Sequence, residues 1–285
     1  MNNKIANKKR KILDSLLYLL MAAVLALVLI VLVMILVYIL KSSAGFLNLK
    51  FITGLASEGG IFPMIVTTIY VVLVSVAIAL PAGIITAIFL NEYRINKKII
   101  QLLRLAIETL AGIPSIIYGL FGLLVFCRIL GFGQSIIAGG FTLSIMILPV
   151  IIRTTEESLK SIPDSFREAS LSLGATGFQT IIHVVIPSAL PGIITSAILA
   201  IGRVVGESAP VLLTVGLAKN IPSSIFESGR TLTIHLYYLT NEAVKPEDFG
   251  MAFASASVLI ILVFCINTLT KIISSAFRKK SGGQT

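Results

Sequence analysis

Arg203 and Glu207 lie four residues apart in a stretch that is otherwise apolar, and Arg104 and Glu108 repeat the spacing earlier in the chain. On a helix this spacing puts both side chains on one face, where their charges can neutralise each other. A cationic side chain near the middle of a bilayer costs about 2.5–3.5 kcal/mol on insertion scales, so Arg203 needs a reason to be there. One reason is a self-contained ion pair that locks a span against its neighbour. The other is an anion pathway. In that case the planar donor fork of Arg203 meets a tetrahedral oxyanion, and Glu207 holds the guanidinium when no anion is bound. For Arg104 and Glu108 a structural clamp is expected. Arg153, at the end of another apolar run, reads as an exit-path cation or an anchor at the membrane edge.

A second set of residues centres on Pro114, which removes a backbone donor and disturbs its helix, while Gly112, Gly119 and Gly122 permit close approach. A helix broken there would start a half-helix whose free N–H groups attract anions, with Ser115 and Tyr118 adding hydroxyls. A packing kink is the plainer alternative. No residues suggest covalent catalysis. Cys127 and Cys265 sit in apolar runs without CxxC spacing and the chain has 2 His, so neither a disulfide nor a metal site is expected, and no cofactor. The chain lacks GxxxxGK[ST]; if ATP drives it, another chain binds the nucleotide.

Membrane spans must position these residues. Hydrophobic residues make up 56% of the chain and charged ones 13%, against about 25% in soluble domains. Mean hydropathy is +0.99. The run from Ser15 to Leu40 has no charged side chain and exceeds the roughly 20 residues that cross the hydrocarbon, so it reads as a retained first span rather than a signal peptide. Five more spans are expected at about Ile61 to Leu90, Leu105 to Phe126, Ser135 to Ile152, Gly192 to Val215 and Gly250 to Ile273. The fold class is therefore an all-α polytopic membrane protein with six transmembrane helices. The expected organisation is a tail, first span and outer loop over 1–60, a membrane domain over 61–275, and a tail over 276–285.

Six spans place both termini on one side. The segments on that side hold 15 Lys and Arg, against 6 in the opposite loops, so the positive-inside rule makes both termini cytoplasmic. The net charge of +10 is explained by this flanking pattern and by anionic lipid; nucleic acid is not an expected partner. In the outer segment from Ala218 to Asp248, the apolar run Ile234 to Leu239 is expected at the membrane surface or against a partner.

The charged run Arg153 to His183 carries its own helix instructions. Ser161 offers an N-cap with Asp164 completing a capping box, Leu159, Ile162, Phe166, Leu171 and Leu173 supply apolar side chains, and Gly174 gives a left-handed stop. Inside it, Glu168-Ala169-Ser170, Gly174 and Pro187 resemble the EAA loop of type I ABC importer permeases, with Ser170, Val184 and Ile186 as small departures from that pattern. The resemblance implies that the loop, over 153–187, forms a coupling helix docking on a separate ATPase subunit, with small Ala169 and Ser170 allowing close approach and Arg167 and Glu168 at the rim.

Glu108 to Gly122 and Gly202 to Pro210 resemble the signatures of phosphate permeases, and the Ser208-Ala209-Pro210 ending resembles the PstA type. This likeness runs from about Phe62 to Ile273. It implies the type I ABC importer permease fold and, as partners, a PstC-type sister permease, an ATPase dimer and an extracytoplasmic phosphate-binding protein. The implied activity is import of inorganic phosphate across the cytoplasmic membrane, with no chemistry on this chain. The alternatives are the same architecture for sulfate or molybdate, or an ion-coupled secondary transporter using Glu207 or Glu108.

Overall fold

The computed structural model describes residues 2–93, 96–243 and 246–280. Arg94 and Lys245 of the charge count, and 281–285 of the C-terminal tail, lie outside the described residues. The described chain is built from helices: α1 (Asn2–Ser43), α2 (Leu49–Thr53), α3 (Phe62–Glu92), α4 (Lys97–Ala111), α5 (Ser115–Gly122), α6 (Ile136–Lys160), α7 (Asp164–Ser172), α8 (Gly177–Thr180), α9 (Ile186–Gly206), α10 (Ala209–Thr214), α11 (Leu232–Glu242) and α12 (Pro246–Lys280). Among the described residues, five stretches are long and apolar enough to cross a membrane: Leu13–Ser43, Phe62–Glu92, Ile136–Lys160, Gly177–Gly206 and Asp248–Ile272. A sixth span exists only if α4 and the Ser115–Ile129 segment count as one, and these two meet at 98°. The third span, expected from Leu105 to Phe126 with its helix disturbed at Pro114, is thus a bent pair whose corner falls at 112–114, a break rather than a packing kink.

The core is α3 against α6. Gly83 faces Ile151 and Gly140 faces Val74 so closely that a Cβ on either would clash, and the Ser144 hydroxyl donates to the Ser75 carbonyl at 3.0 Å across the pair. In lipid, where water exclusion does not drive helices together, small residues and interhelical hydrogen bonds of this kind hold them. Around this pair Val71, Leu143, Ile147, Ile151, Val204 and Val211 form the central cluster. A second cluster, at the end where α6 turns into α7, joins Leu90, Ile152, Leu159, Ile162, Val185 and Ala189.

At the opposite end α11 begins with Leu232 and Ile234 fully buried, its first amide donating to the Thr68 hydroxyl at 2.9 Å. The apolar run expected at the membrane surface or on a partner therefore starts inside the chain's own core.

Candidate functional site: two helix breaks and the α7 turn

Of the three helices that carry the expected pathway residues, α6 is continuous and the other two are broken, with the segments after the breaks in contact. After α4 the chain turns through Gly112 and Pro114 (φ −58°, ψ 139°), and α5 starts at Ser115. After α9 the chain leaves helical geometry at Glu207 (φ −76°, ψ 133°), and α10 starts at Ala209. The two new helices run side by side. Gly119 lies against Pro210 and Leu213, while the far end of α10 is bound by the loop entering α6, where the Ser135 amide donates to the Thr214 carbonyl at 2.9 Å. The span expected to run continuously from Gly192 to Val215 is therefore interrupted between the residues that a helix would have stacked.

Arg203 sits in the last turn of α9, its Nε 3.9 Å from Oε1 of Glu207, with the two side chains 34% and 18% exposed. The i, i+4 pairing is present, but as one long contact across a helix end rather than on a helix face. The Glu207 carbonyl accepts from the Thr233 hydroxyl at 3.1 Å, which ties the break to α11. Tyr118 is buried, and its hydroxyl donates to the Leu110 carbonyl at 2.6 Å. It braces the α4–α5 corner instead of offering a hydroxyl to a pathway. Ser115, half-buried at the first position of α5, makes no side-chain hydrogen bond among the described residues.

Arg104 and Glu108 do not pair with each other as expected. Arg104 binds Glu156 on α6 at 2.5 Å, and Lys160 reaches the same carboxylate oxygen at 2.7 Å. Glu108 instead faces Arg153 at 3.7 Å, which also approaches Glu157 at 3.9 Å. The six side chains line a cavity of about 290 Å³ between α4 and α6. Arg153, expected in the loop, lies within α6 and is exposed. The spacing rule chose the wrong partners because the corner at Pro114 folds α4 back against α6, bringing carboxylates from another helix nearer than those on its own. Glu156 was missed; the only signal for it was its own i, i+4 relation to Lys160.

The loop keeps its helix but moves its boundary. Ser161 is the end of α6, not the start of α7: its hydroxyl donates to the Ser158 carbonyl at 2.7 Å, and Pro163 caps α7. Leu159 and Ile162 belong to the core cluster at this end. Gly174 stops the helix with φ +85°, a conformation that L side chains rarely adopt. Glu168, Ala169, Gly174 and Pro187 are exposed, and Phe166, Leu171 and Leu173 add exposed apolar surface. Pro187 lacks an N–H, and the turn before it widens so that the Ile186 amide reaches back to the Ile181 carbonyl.

Two residues expected to face outward are turned inward. The Ser170 hydroxyl pairs with that of Thr180 at 2.9 Å. Arg167 grips Glu92, at the end of α3, through Nη2–Oε1 at 2.8 Å and Nε–Oε2 at 3.1 Å. Hydrogen bonding to Glu92 raises the pKa of Arg167 above its ordinary value, against an opposing pull from burial. Glu92 was missed in the sequence, where it is simply the carboxylate at the end of an apolar run.

Residues 79–279 match the family described as "Binding-protein-dependent transport system inner membrane component". The chain belongs to this family. Across 98% of its length it is 34% identical to a probable ABC transporter permease protein, YqgI, of Bacillus subtilis, covering 99% of that protein. Over 77% of its length it is 37% identical to the phosphate transport system permease protein PstA of Mycobacterium leprae, covering 71% of it. Among solved structures, a chain of a bacterial alginate ABC transporter superposes with a TM-score of 0.71 at 14% identity, over 95% of this chain and 97% of that one. One of the MetNI methionine ABC transporter gives 0.61 at 24%, over 76% and 94%. The fold is that of the type I ABC importer permease, and the chain is a transport component of the membrane rather than a catalytic subunit.

Proposed function

We propose that the chain is the PstA-type permease subunit of an ATP-driven importer of inorganic phosphate, placed in the cytoplasmic membrane with both termini and α7 on the cytoplasmic side. Its partners are a PstC-type sister permease, an ATPase dimer that docks on α7 through Glu168, Ala169 and the exposed Phe166, Leu171 and Leu173, and an extracytoplasmic phosphate-binding protein. The observation that carries the cargo reading is the state of Arg203. Its one charged partner among the described residues, Glu207, comes no nearer than 3.9 Å, at Nε, and no hydrogen bond from its side chain to a described residue competes. The two terminal nitrogens remain available to a tetrahedral oxyanion, beside the start of α5 and the Ser115 hydroxyl. The identity to proteins named as phosphate permeases agrees with this reading. Glu207 restrains the guanidinium and disfavours anions that have no proton to donate, such as sulfate. Arg153, farther along α6, is the exit-path cation.

The test is phosphate uptake by the reconstituted complex. Loss of a charge-assisted donor pair is worth roughly 1.5–3 kcal/mol, so Arg203→Ala should reduce uptake about 10- to 100-fold. Unchanged uptake would remove the site. Glu207→Gln should shift the phosphate-to-sulfate ratio toward sulfate. YqgI carries no substrate in its name and the solved neighbours move other cargo, which keeps a sulfate or molybdate permease as the second reading. Competition that favours either anion over phosphate would select it. Membership of a binding-protein-dependent family leaves the ion-coupled secondary transporter without support.

A further inference from the structure

Arg167 is one residue away from the exposed Glu168, yet none of its donors is left for a partner protein. Its five N–H groups go to both Glu92 oxygens, to the Ile162 carbonyl at 3.0 Å, to Asp164 Oδ1 at 3.1 Å and to the Leu159 carbonyl at 3.1 Å. Its side chain is 18% exposed and that of Glu92 is 8%. Asn91 donates to Oε1 of Glu92 at 2.8 Å and fixes the carboxylate. A two-point contact of this kind resists rotation as well as separation, which a single hydrogen bond does not.

The attachments of α7 define what it can move. Its N-terminal end continues from α6 through the turn at 161–163. Beyond Gly174, the Ser170–Thr180 contact ties it to α8 and thence to α9. The chain provides no short route to α3, since Glu92 and Arg167 are 75 positions apart. Leu90 of α3 shares a cluster with Leu159 and Ile162 at the turn before α7, and the Arg167 side chain adds a polar connection from α7 itself. We propose that the Arg167–Glu92 fork is the link through which displacement of α7 is carried into α3, so that α3, α6 and α9 move together. Arg167 is thus a positioning residue for transport and not an ATPase contact. The inference rests on the reading that α7 docks on the ATPase.

The experiment uses the complete transporter (this chain, its sister permease, the ATPase and the binding protein) in proteoliposomes, reading phosphate imported per ATP hydrolysed. Docking is read separately by crosslinking the ATPase to Leu173→Cys, an exposed position, in a Cys265→Ser background. Arg167→Lys keeps the charge and loses the fork; Glu92→Gln keeps the shape and loses the charge. Both should lower phosphate imported per ATP at least fivefold with the crosslink intact. The exchanged pair, Glu92→Arg with Arg167→Glu, should recover part of what either single reversal loses.

An intact crosslink with an unchanged transport ratio overturns the link. So does loss of the crosslink in the single variants, which would mean that the fork only shapes the docking helix. If the Leu173→Cys chain with Arg167 and Glu92 unchanged gives no crosslink, the docking reading fails, and this inference fails with it.

Discussion

Replacing Gly119 with Ala asks whether the α5–α10 contact is as tight as the geometry says. A Cβ built at Gly119 would lie 2.8 Å from the Cα of Pro210, 2.9 Å from Cδ1 of Leu213 and 3.3 Å from the Ala209 carbonyl oxygen. The first and last of these are backbone atoms and cannot rotate away, so the helices must separate. Overpacking of this kind costs typically about 1–3 kcal/mol. Alanine is the better helix former by about 1 kcal/mol, which offsets part of that cost. The matched control is Gly202→Ala in α9, where nothing lies within 4 Å of the added methyl and only the helical gain remains. The two variants should therefore differ by about 1–3 kcal/mol. At about 2–4 °C per kcal/mol for a chain of this size, that is a gap of roughly 2–12 °C in the thermal transition of the purified chain in detergent at one scan rate. Equal transitions for the two variants would refute the close-packing account and the side-by-side placement of the two helix breaks.

Gly174→Val forces a β-branched residue into φ +85°, at a cost on the order of 1–3 kcal/mol. The strain should re-aim α7 without affecting insertion, so ATP hydrolysis should continue while phosphate uptake falls severalfold; intact coupling would count against the docking role of α7. His235 supplies a pH test. Burial, with Arg230 and Lys219 adding repulsion, lowers its pKa to about 4 from 6.5, so the folded chain holds it neutral. The unfolded chain binds that proton first, so stability is full above about pH 6.5 and declines as pH falls toward 4, by about 3 kcal/mol in all. His235→Gln should flatten melting temperature against pH over that window, and an unaltered slope would exclude His235 as its source.

The spans were legible because an apolar run longer than a bilayer is thick has little use outside one; the first, second, fourth and sixth lie within a few residues of their expected ends, apart from α6, which runs eight positions farther. What the sequence hid was which charges meet. Arg104 and Glu108 were recognisable as out of place, but their partners Glu156 and Arg153 stand on α6, against which the corner at Pro114 folds α4, and spacing along one helix carries no information about that. Arg167 shows the same limit. Beside Glu168 in a polar loop it read as a rim contact, and only the position of the end of α3 turns it inward. Gly174, by contrast, was readable alone, since its role depends on its own backbone.

The first helix has a consequence for how the protein meets different membranes. Over Leu13–Ser43 it spans about 46 Å at 1.5 Å per residue, well beyond the roughly 30 Å of hydrocarbon. Its contacts with α12 gather at one end, where Tyr38 meets Phe253 edge-on at 5.4 Å and Ser257 donates to Ser43 at 2.9 Å. A rod fixed at one end and longer than the layer it crosses adapts by changing its tilt. Thicker bilayers would stand it upright and thinner ones lay it over, and α3, α6 and α9, which carry the α7 connection, would be cushioned from that variation.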